Sequence, residues 1–136
     1  MKVSTRGDYA ARALLSLALH GDERPTSVKE IAERTNLQQP YLEQILLAVK
    51  GAGLVRSKRG VGGGYLLARP PEQINLADIL AAVEGPLTTL MGEHDHCEGH
   101  CVLQEVWVGE SDATRGRLEG YTLADLVRRT RVGHPG

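Results

Sequence analysis

Four of the five residues from 60 to 64, in "RGVGGGY", are glycine. Such a run is a poor helix interior, because each glycine costs about 1 kcal/mol there relative to alanine. It suits a tight turn, where positive φ carries no steric penalty. On either side stand "LVRSKR" and "GYLLAR", two short stretches that read as strands joined by that turn. A two-stranded hairpin is marginal by itself in water. This one therefore needs a helical body to lean on.

The preceding residues supply that body. Ser4 caps a helix whose Ala10, Leu14, Leu17 and Ala18 share one face, ending near His20-Gly21. "DERPTS" is a loop. Ser27 caps the short helix "VKEIAERT", with Glu30 placed to complete a capping box. After the turn "NLQQ", Pro40 sits in the first turn of "PYLEQILLAVKGAG", whose buried stripe is Leu42, Ile45, Leu46 and Val49. Helix, helix, helix, strand, glycine turn, strand is the order of a winged helix-turn-helix. "PPEQIN" ends that unit, and Asn75 caps a fourth helix, "LADILAAVEG". Beyond the cysteine-bearing "EHDHCEGHC", Leu103, Val106, Val108 and Leu118 surround Trp107 in a longer helix weakened by Gly109 and Gly116. Thr122 caps a last helix, "LADLVRR", and a disordered tail is expected from residue 131. The fold expected is mainly α with a small β wing.

Hydrophobic residues make up 41% of the chain, enough for a core, but aromatics are only 4% and Phe is absent, so Leu, Val, Ile and Ala must pack it. No apolar run reaches the roughly 18 residues of a membrane span. The N-terminal apolar stretch contains Asp8 and Arg12 and lacks a small-residue cleavage site, so it reads as a folded helix of a cytoplasmic protein. The net charge is -1, but it is unevenly spread. Residues 1–69 carry eleven Lys and Arg against six Asp and Glu, a balance of +5, and residues 70–136 carry five against eleven, a balance of -6. A basic half joined to an acidic half suggests a binding module with a partner or sensor arm.

A helix-turn-helix lays the start of its second helix in the major groove of double-stranded DNA. Here that places Gln38, Gln39, Pro40, Tyr41, Glu43 and Gln44 near base edges or phosphates. Gln pairs bidentately with adenine, and a carboxylate accepts from cytosine N4. A carboxylate facing phosphates is costly unless it reads a base, which makes Glu43 a candidate specificity filter. The alternative leaves Glu43 a solvated helix residue and Tyr41 a core residue. In the wing, Arg56, Lys58 and Arg59 flank the turn, with Gly62 and Gly63 allowing close backbone approach to phosphates. An Arg at such a tip can enter a narrow minor groove, although a glycine-rich hairpin with a solvated charge run has the same pattern. A nucleotide-type phosphate loop is excluded, because a strand rather than a helix follows and the G-K-S/T ending is missing. No nucleophile, base and orienting group stand in a recognisable arrangement, so an enzyme is not expected.

"MKVSTRGDYAARALLSLA", "KEIAERTNLQQPYLEQILLAVKGAGLVRSKRGVGGGYLLARPPEQINLADILAAVEG", "HCVLQEVW" and "YTLADLV" together resemble the IscR/NsrR/CymR family (Rrf-type) of bacterial winged-helix transcription regulators. The resemblance covers nearly the whole chain, and "YLEQIL" followed by "GLVRSKRGVGGGYLLA" is its most specific part. It implies a homodimer held by the long C-terminal helix, about 102–120, and a palindromic operator read by the Pro40–Gln44 region and the wing. The organisation that follows is a DNA-binding domain over 1–85, a cysteine/histidine sensor loop over 86–101, the dimerisation helix and C-terminal helix over 102–130, and the tail 131–136.

Some members of the family bind an iron-sulfur cluster and others carry none. Cluster-binding relatives usually have three cysteines in this loop, the last of them six residues before a Trp. Cys101 and Trp107 keep that spacing, Cys97 resembles the middle cysteine, and His94 or His96 stands near the place of the first. The fourth ligand in relatives is a His three residues after the last cysteine, where this chain has Gln104, or an acidic residue of the partner's first helix, which Asp8 matches. His100 is a further candidate donor. Histidine can replace some thiolates around a cluster, and two Cys with two His equally suit tetrahedral zinc. An iron-sulfur cluster, 2Fe-2S in preference to 4Fe-4S, zinc, and metal-free thiols thus stay open. So do three functions: a regulator sensing redox state, nitric oxide or iron-sulfur status, a cluster-free regulator controlled by a partner protein or small ligand, and a winged-helix protein-interaction module.

Overall fold

A computed structural model describes residues 3–20, 24–84 and 98–133. Its elements are α1 (Thr5–Leu19), α2 (Val28–Thr35), α3 (Gln39–Gly51), β1 (Val55–Lys58), β2 (Gly64–Leu67), α4 (Leu76–Glu84), α5 (His100–Glu119) and α6 (Leu123–Gly133), with a short 3-10 turn at Pro71–Gln73. Six helices and one two-stranded antiparallel sheet, among the described residues, make the expected winged helix-turn-helix.

Local chemistry sets the helix starts. The Ser4 hydroxyl accepts from Gly7 N–H at 3.0 Å and the Ser27 hydroxyl from Glu30 N–H at 3.2 Å. The capping box of α2 is only half made, because Glu30 instead pairs with Arg34 at 3.4 Å. Asn36 closes α2 in the left-handed region at φ 57°. The starts of α4 and α6 repeat one device. Asn75 Oδ1 accepts from Asp78 N–H at 2.9 Å, and Thr122 Oγ1 from Asp125 N–H at 3.1 Å, while each Asp accepts from the backbone N–H of its own cap residue. The two caps lie back to back, with Leu76 N–H donating to Tyr121 O at 3.0 Å and Leu123 N–H to Ile74 O at 2.8 Å. Hydrogen bonds from Thr122, backbone first, and from Arg128 hold the Asp125 carboxyl below its usual value.

The core lies between α1 and α3. Ala10, Ala13, Leu14 and Leu17 of α1 meet Leu42, Ile45, Leu46 and Val49 of α3, closed by Ile31, Leu54, Val55, Ile74, Ile79 and Leu123. Ala18, expected on the buried face, is only half-buried. The hairpin pairs Val55 with Leu67 and Lys58 with Gly64. It gains a third member from the α1–α2 connection, where Thr26 and Tyr65 exchange backbone bonds at 2.9 and 2.8 Å. That answers the marginality of a lone hairpin.

Two boundaries differ from expectation. The longer helix begins at His100, inside the span assigned to the loop, and continues through Gly109 and Gly116, which face open space and so only lower its propensity. α6 runs on to Gly133, so residues 131–133 of the expected tail are helical. Thr130 Oγ1 bonds Leu126 O at 2.7 Å, and Arg131 donates to Leu19 O of α1 at 3.3 Å, tying that end down. Residues 134–136 lie outside the described residues. Among the described side chains of α5 only Leu118 is buried, while Val102, Leu103, Val106 and Trp107 are between 49% and 63% exposed. No helix among the described residues is long and apolar enough to cross a membrane.

Candidate nucleic-acid interface

The turn from α2 to α3 decides what α3 presents. Asn36 reverses the chain, Leu37 is buried as an anchor, and Gln38 becomes the N-cap. Gln38 makes no side-chain cap bond, Pro40 brings no N–H, and no acidic residue stands in the first turn. The positive end of α3 is therefore left open toward solvent, unlike that of α1, α2, α4 or α6. An uncapped helix N-terminus favours an anion such as a phosphate.

Gln38, Gln39, Pro40, Tyr41, Glu43 and Gln44 are all exposed, while Leu42, Ile45 and Leu46 between and beyond them are buried. The helical period thus gathers the expected reading residues on one outward end. Gln39 Nε2 donates to Glu43 Oε1 at 3.4 Å, which aligns an amide beside a carboxylate on that surface. Tyr41 is not the core residue that the alternative allowed. It is 36% exposed and meets the Tyr9 ring edge-on, with centroids 5.7 Å apart at 82°. Arg12 lies 5.5 Å over the same Tyr9 ring and pairs with Asp8 at 2.9 Å. Sequence reasoning missed Tyr9, because only the crossing of α1 on α3 brings the two tyrosines together.

In the wing, Arg56, Lys58 and Arg59 are exposed. Gly63 N–H donates to Gly60 O at 3.0 Å and closes the turn, and Gly62 stands exposed at φ 75°, a conformation L side chains rarely adopt. A Cβ on Gly64 would collide with the Thr26 carbonyl, so glycine there allows the hairpin to dock on the α1–α2 connection. Val61, also missed, is the fully exposed tip. Its signal was visible as the only side chain among the glycines of the turn.

A model of the family described as "Rrf2: Iron-dependent Transcriptional regulator" matches residues 3–129. The chain belongs to the Rrf2 family. It is 44% identical over 128 residues to a helix-turn-helix transcriptional regulator of Synechocystis, covering 93% of this chain and 87% of that one. Among solved structures it resembles CymR, described as the global cysteine regulator of B. subtilis, with a TM-score of 0.78, 38% identity, and coverage of 96% of this chain and 98% of that one. It also resembles IscR of T. potens, with a TM-score of 0.76, 39% identity, and coverage of 96% and 88%. The chain is thus a DNA-binding transcriptional regulator of this family and not an enzyme.

Of the candidate metal donors, His94, His96 and Cys97 lie outside the described residues, as does the side chain of His100. Cys101 stands in the first turn of α5, disulfide-bonded, beside a groove of about 230 Å³ that it shares with Gln104, Glu105 and Val108. Asp8 is engaged by Arg12. Among the described residues no three His, Cys, Asp or Glu side chains come together as a metal set. A disulfide sulfur has no thiolate to donate, so ligation by Cys101 requires reduction first. By residue type alone, two reduced cysteines with histidines would suit a cluster or zinc.

Proposed function

We propose that this regulator acts as a cytoplasmic homodimer that reads a palindromic operator on double-stranded DNA, and that the Cys97/Cys101 loop makes the reading depend on redox state, nitric oxide or iron-sulfur status. One observation carries the proposal. The same chain holds an exposed, uncapped reading end on α3 and a half-exposed apolar stripe on α5 that the described residues leave uncovered. Val102, Leu103, Val106 and Trp107 follow i, i+3 and i+4 spacing, the pattern of a helix face made for a partner. Two copies joined along α5 present two reading ends, which demands half-sites a whole number of turns apart, roughly 34 Å or a multiple.

In the dithiol state Cys97 and Cys101 would hold the cluster with one of His94, His96 or His100, and Asp8 of the partner subunit would complete the set after release from its Arg12. The bound cluster would supply one-electron chemistry and a target for nitric oxide. Cys101 at the root of α5 couples the loop to the apolar stripe, which starts one residue on at Val102. Ligation and disulfide formation exclude each other at that sulfur. The disulfide at Cys101 also supports a second reading, in which a cluster-free dithiol and disulfide pair is itself the signal.

Selection of binding sites from random DNA, run on anaerobically purified protein and again after oxidation, tests both levels. A two-fold symmetric site is expected, with affinity that changes on oxidation. Recovery of no palindrome in either state contradicts the operator reading and favours a protein-interaction module. Iron, sulfide and zinc analysis with a visible spectrum of the same preparation separates the readings of the loop. Colour lost in both Cys97→Ala and Cys101→Ala supports the cluster, and iron-free, colourless protein after attempted reconstitution supports zinc or the dithiol.

A further inference from the structure

Opposite its buried stripe, α3 carries a leucine that the core does not use. Leu42, Ile45, Leu46 and Val49 are fully buried, whereas Leu47 is 61% exposed. A single exposed leucine is ordinary on a protein surface, but the direction of this one is not. At about 100° per residue, Pro40, Gln44, Leu47 and Gly51 fall within roughly 60° of one another, on the side away from the core. Leu47 lies in angle between Glu43 and Gln44, and all five residues are exposed.

The reading face therefore continues past its polar end. Leu47 stands one turn beyond Glu43, about 6 Å further along the helix axis. The next turn presents Gly51, where a Cβ would meet nothing within 4 Å. On that line no side chain of α3 stands beyond Leu47, so the helix can lie along a groove instead of entering it only by its tip. Tyr41 and Lys50, both exposed, flank the line on either side, where the walls of a groove carry phosphates. Pro40, Glu43, Gln44 and Leu47 have the i, i+3, i+4, i+7 spacing with which a helix lying in the major groove reads bases.

The major groove offers a leucine one apolar group, the C5-methyl of thymine; the other base edges there are donors and acceptors. A leucine pressed on a donor or acceptor takes away its water and returns no hydrogen bond, which is costly. Against a methyl group, both partners remove apolar surface from water. We infer that Leu47 is a specificity residue of the operator contact and packs on the methyl group of a thymine. At about 3.4 Å per base pair, that thymine lies roughly one to two pairs from the bases met by Glu43 and Gln44. The inference rests on α3 being the reading helix, and adds a base that the polar residues of α3 do not select.

The test uses the full-length protein and the site it selects from random DNA. Each thymine is replaced in turn, in both half-sites, by deoxyuridine, which pairs in the same way and lacks only the methyl group. One position should lose about fourfold in affinity per half-site, the effect of one buried methyl. That loss should vanish in Leu47→Ala, and the variant should no longer prefer thymine there in a selection, with its helical circular dichroism unchanged. A site in which no thymine methyl matters, or a methyl effect that persists in Leu47→Ala, overturns the inference. So does a Leu47→Ala that weakens all sequences alike, which assigns the side chain to the sugar-phosphate backbone. Glu43→Ala separates this failure from that of the reading helix. If it changes sequence choice and Leu47→Ala does not, α3 reads DNA and only the role of Leu47 falls; if neither changes it, both fall.

Discussion

The reading head and the α5 arm solve the same problem in opposite ways. In the head, Leu14, Ile45 and Leu46 are fully buried, the starts of α1, α2 and α4 are capped by side chains, and the hairpin gains a backbone bridge to Thr26. It is complete within one chain. The arm is a 20-residue helix with one buried apolar residue, Leu118, two exposed glycines, and Val102, Leu103, Val106 and Trp107 facing outward. The head buries its apolar residues within one chain, whereas the arm leaves four of its own exposed. Where the head is open, at the start of α3, it is open in polar groups suited to DNA.

The strongest contrast is in stability. Ile45→Ala should cost about 2–5 kcal/mol in chemical denaturation at every protein concentration, because it leaves a cavity in a closed core. Leu103→Ala should show its cost through association, as a weaker dependence of the unfolding midpoint on protein concentration. If both variants lost stability alike at all concentrations, head and arm would not differ in the way described.

Next in size are the effects on DNA. Arg59→Ala should weaken binding to every sequence and reduce the slope of log affinity against log salt by about one unit, measured by titration at several salt concentrations. Glu43→Ala should broaden sequence choice in a binding-site selection, with non-specific affinity equal or higher, since it removes a carboxylate from a surface that meets phosphates. Equal effects of the two on all sequences would erase the division between wing and α3.

The smallest effect concerns the cap that α6 shares with the head. The Asp125 carboxyl is held below its ordinary value of 3.8 by bonds from Thr122 and Arg128. A carboxyl whose folded value is depressed adds stability that is present above the unfolded value and is lost as pH falls through the folded one. Asp125→Asn should therefore be slightly less stable than the parent near neutral pH, and the gap should close below about pH 4 in pH-dependent denaturation. A gap constant down to pH 2 would mean that the loss is one of shape and not of charge.

Much of the head was legible because its rules are local. Ser4, Ser27, Asn75 and Thr122 cap by residue type, Pro40 fits a first turn, and a four-glycine run between two short apolar stretches leaves little but a hairpin. The exposure of Gln38 to Gln44 around a buried Leu42 follows from the helical period alone. Features set by distant contacts were not legible: the Thr26–Tyr65 bridge, the back-to-back caps of α4 and α6, the Tyr9–Tyr41 contact, and the anchoring of Arg131 on α1 that extends α6. The glycines of α5 argued for a weak helix, yet solvent on that side lets them stay at a modest cost. The donors of the loop were legible as residue types, but ligation is a matter of geometry across the loop and between subunits, which spacing does not determine.

Sedimentation equilibrium of the full chain beside a V106D/W107D variant tests most directly whether the arm is made for a second copy. The parent should sediment at twice its 14.7 kDa chain mass, and the variant at one chain mass with its helical circular dichroism and a cooperative unfolding transition intact. A parent that remains at one chain mass at micromolar concentration, or a variant that stays dimeric, would contradict the assignment of α5 as the dimer arm.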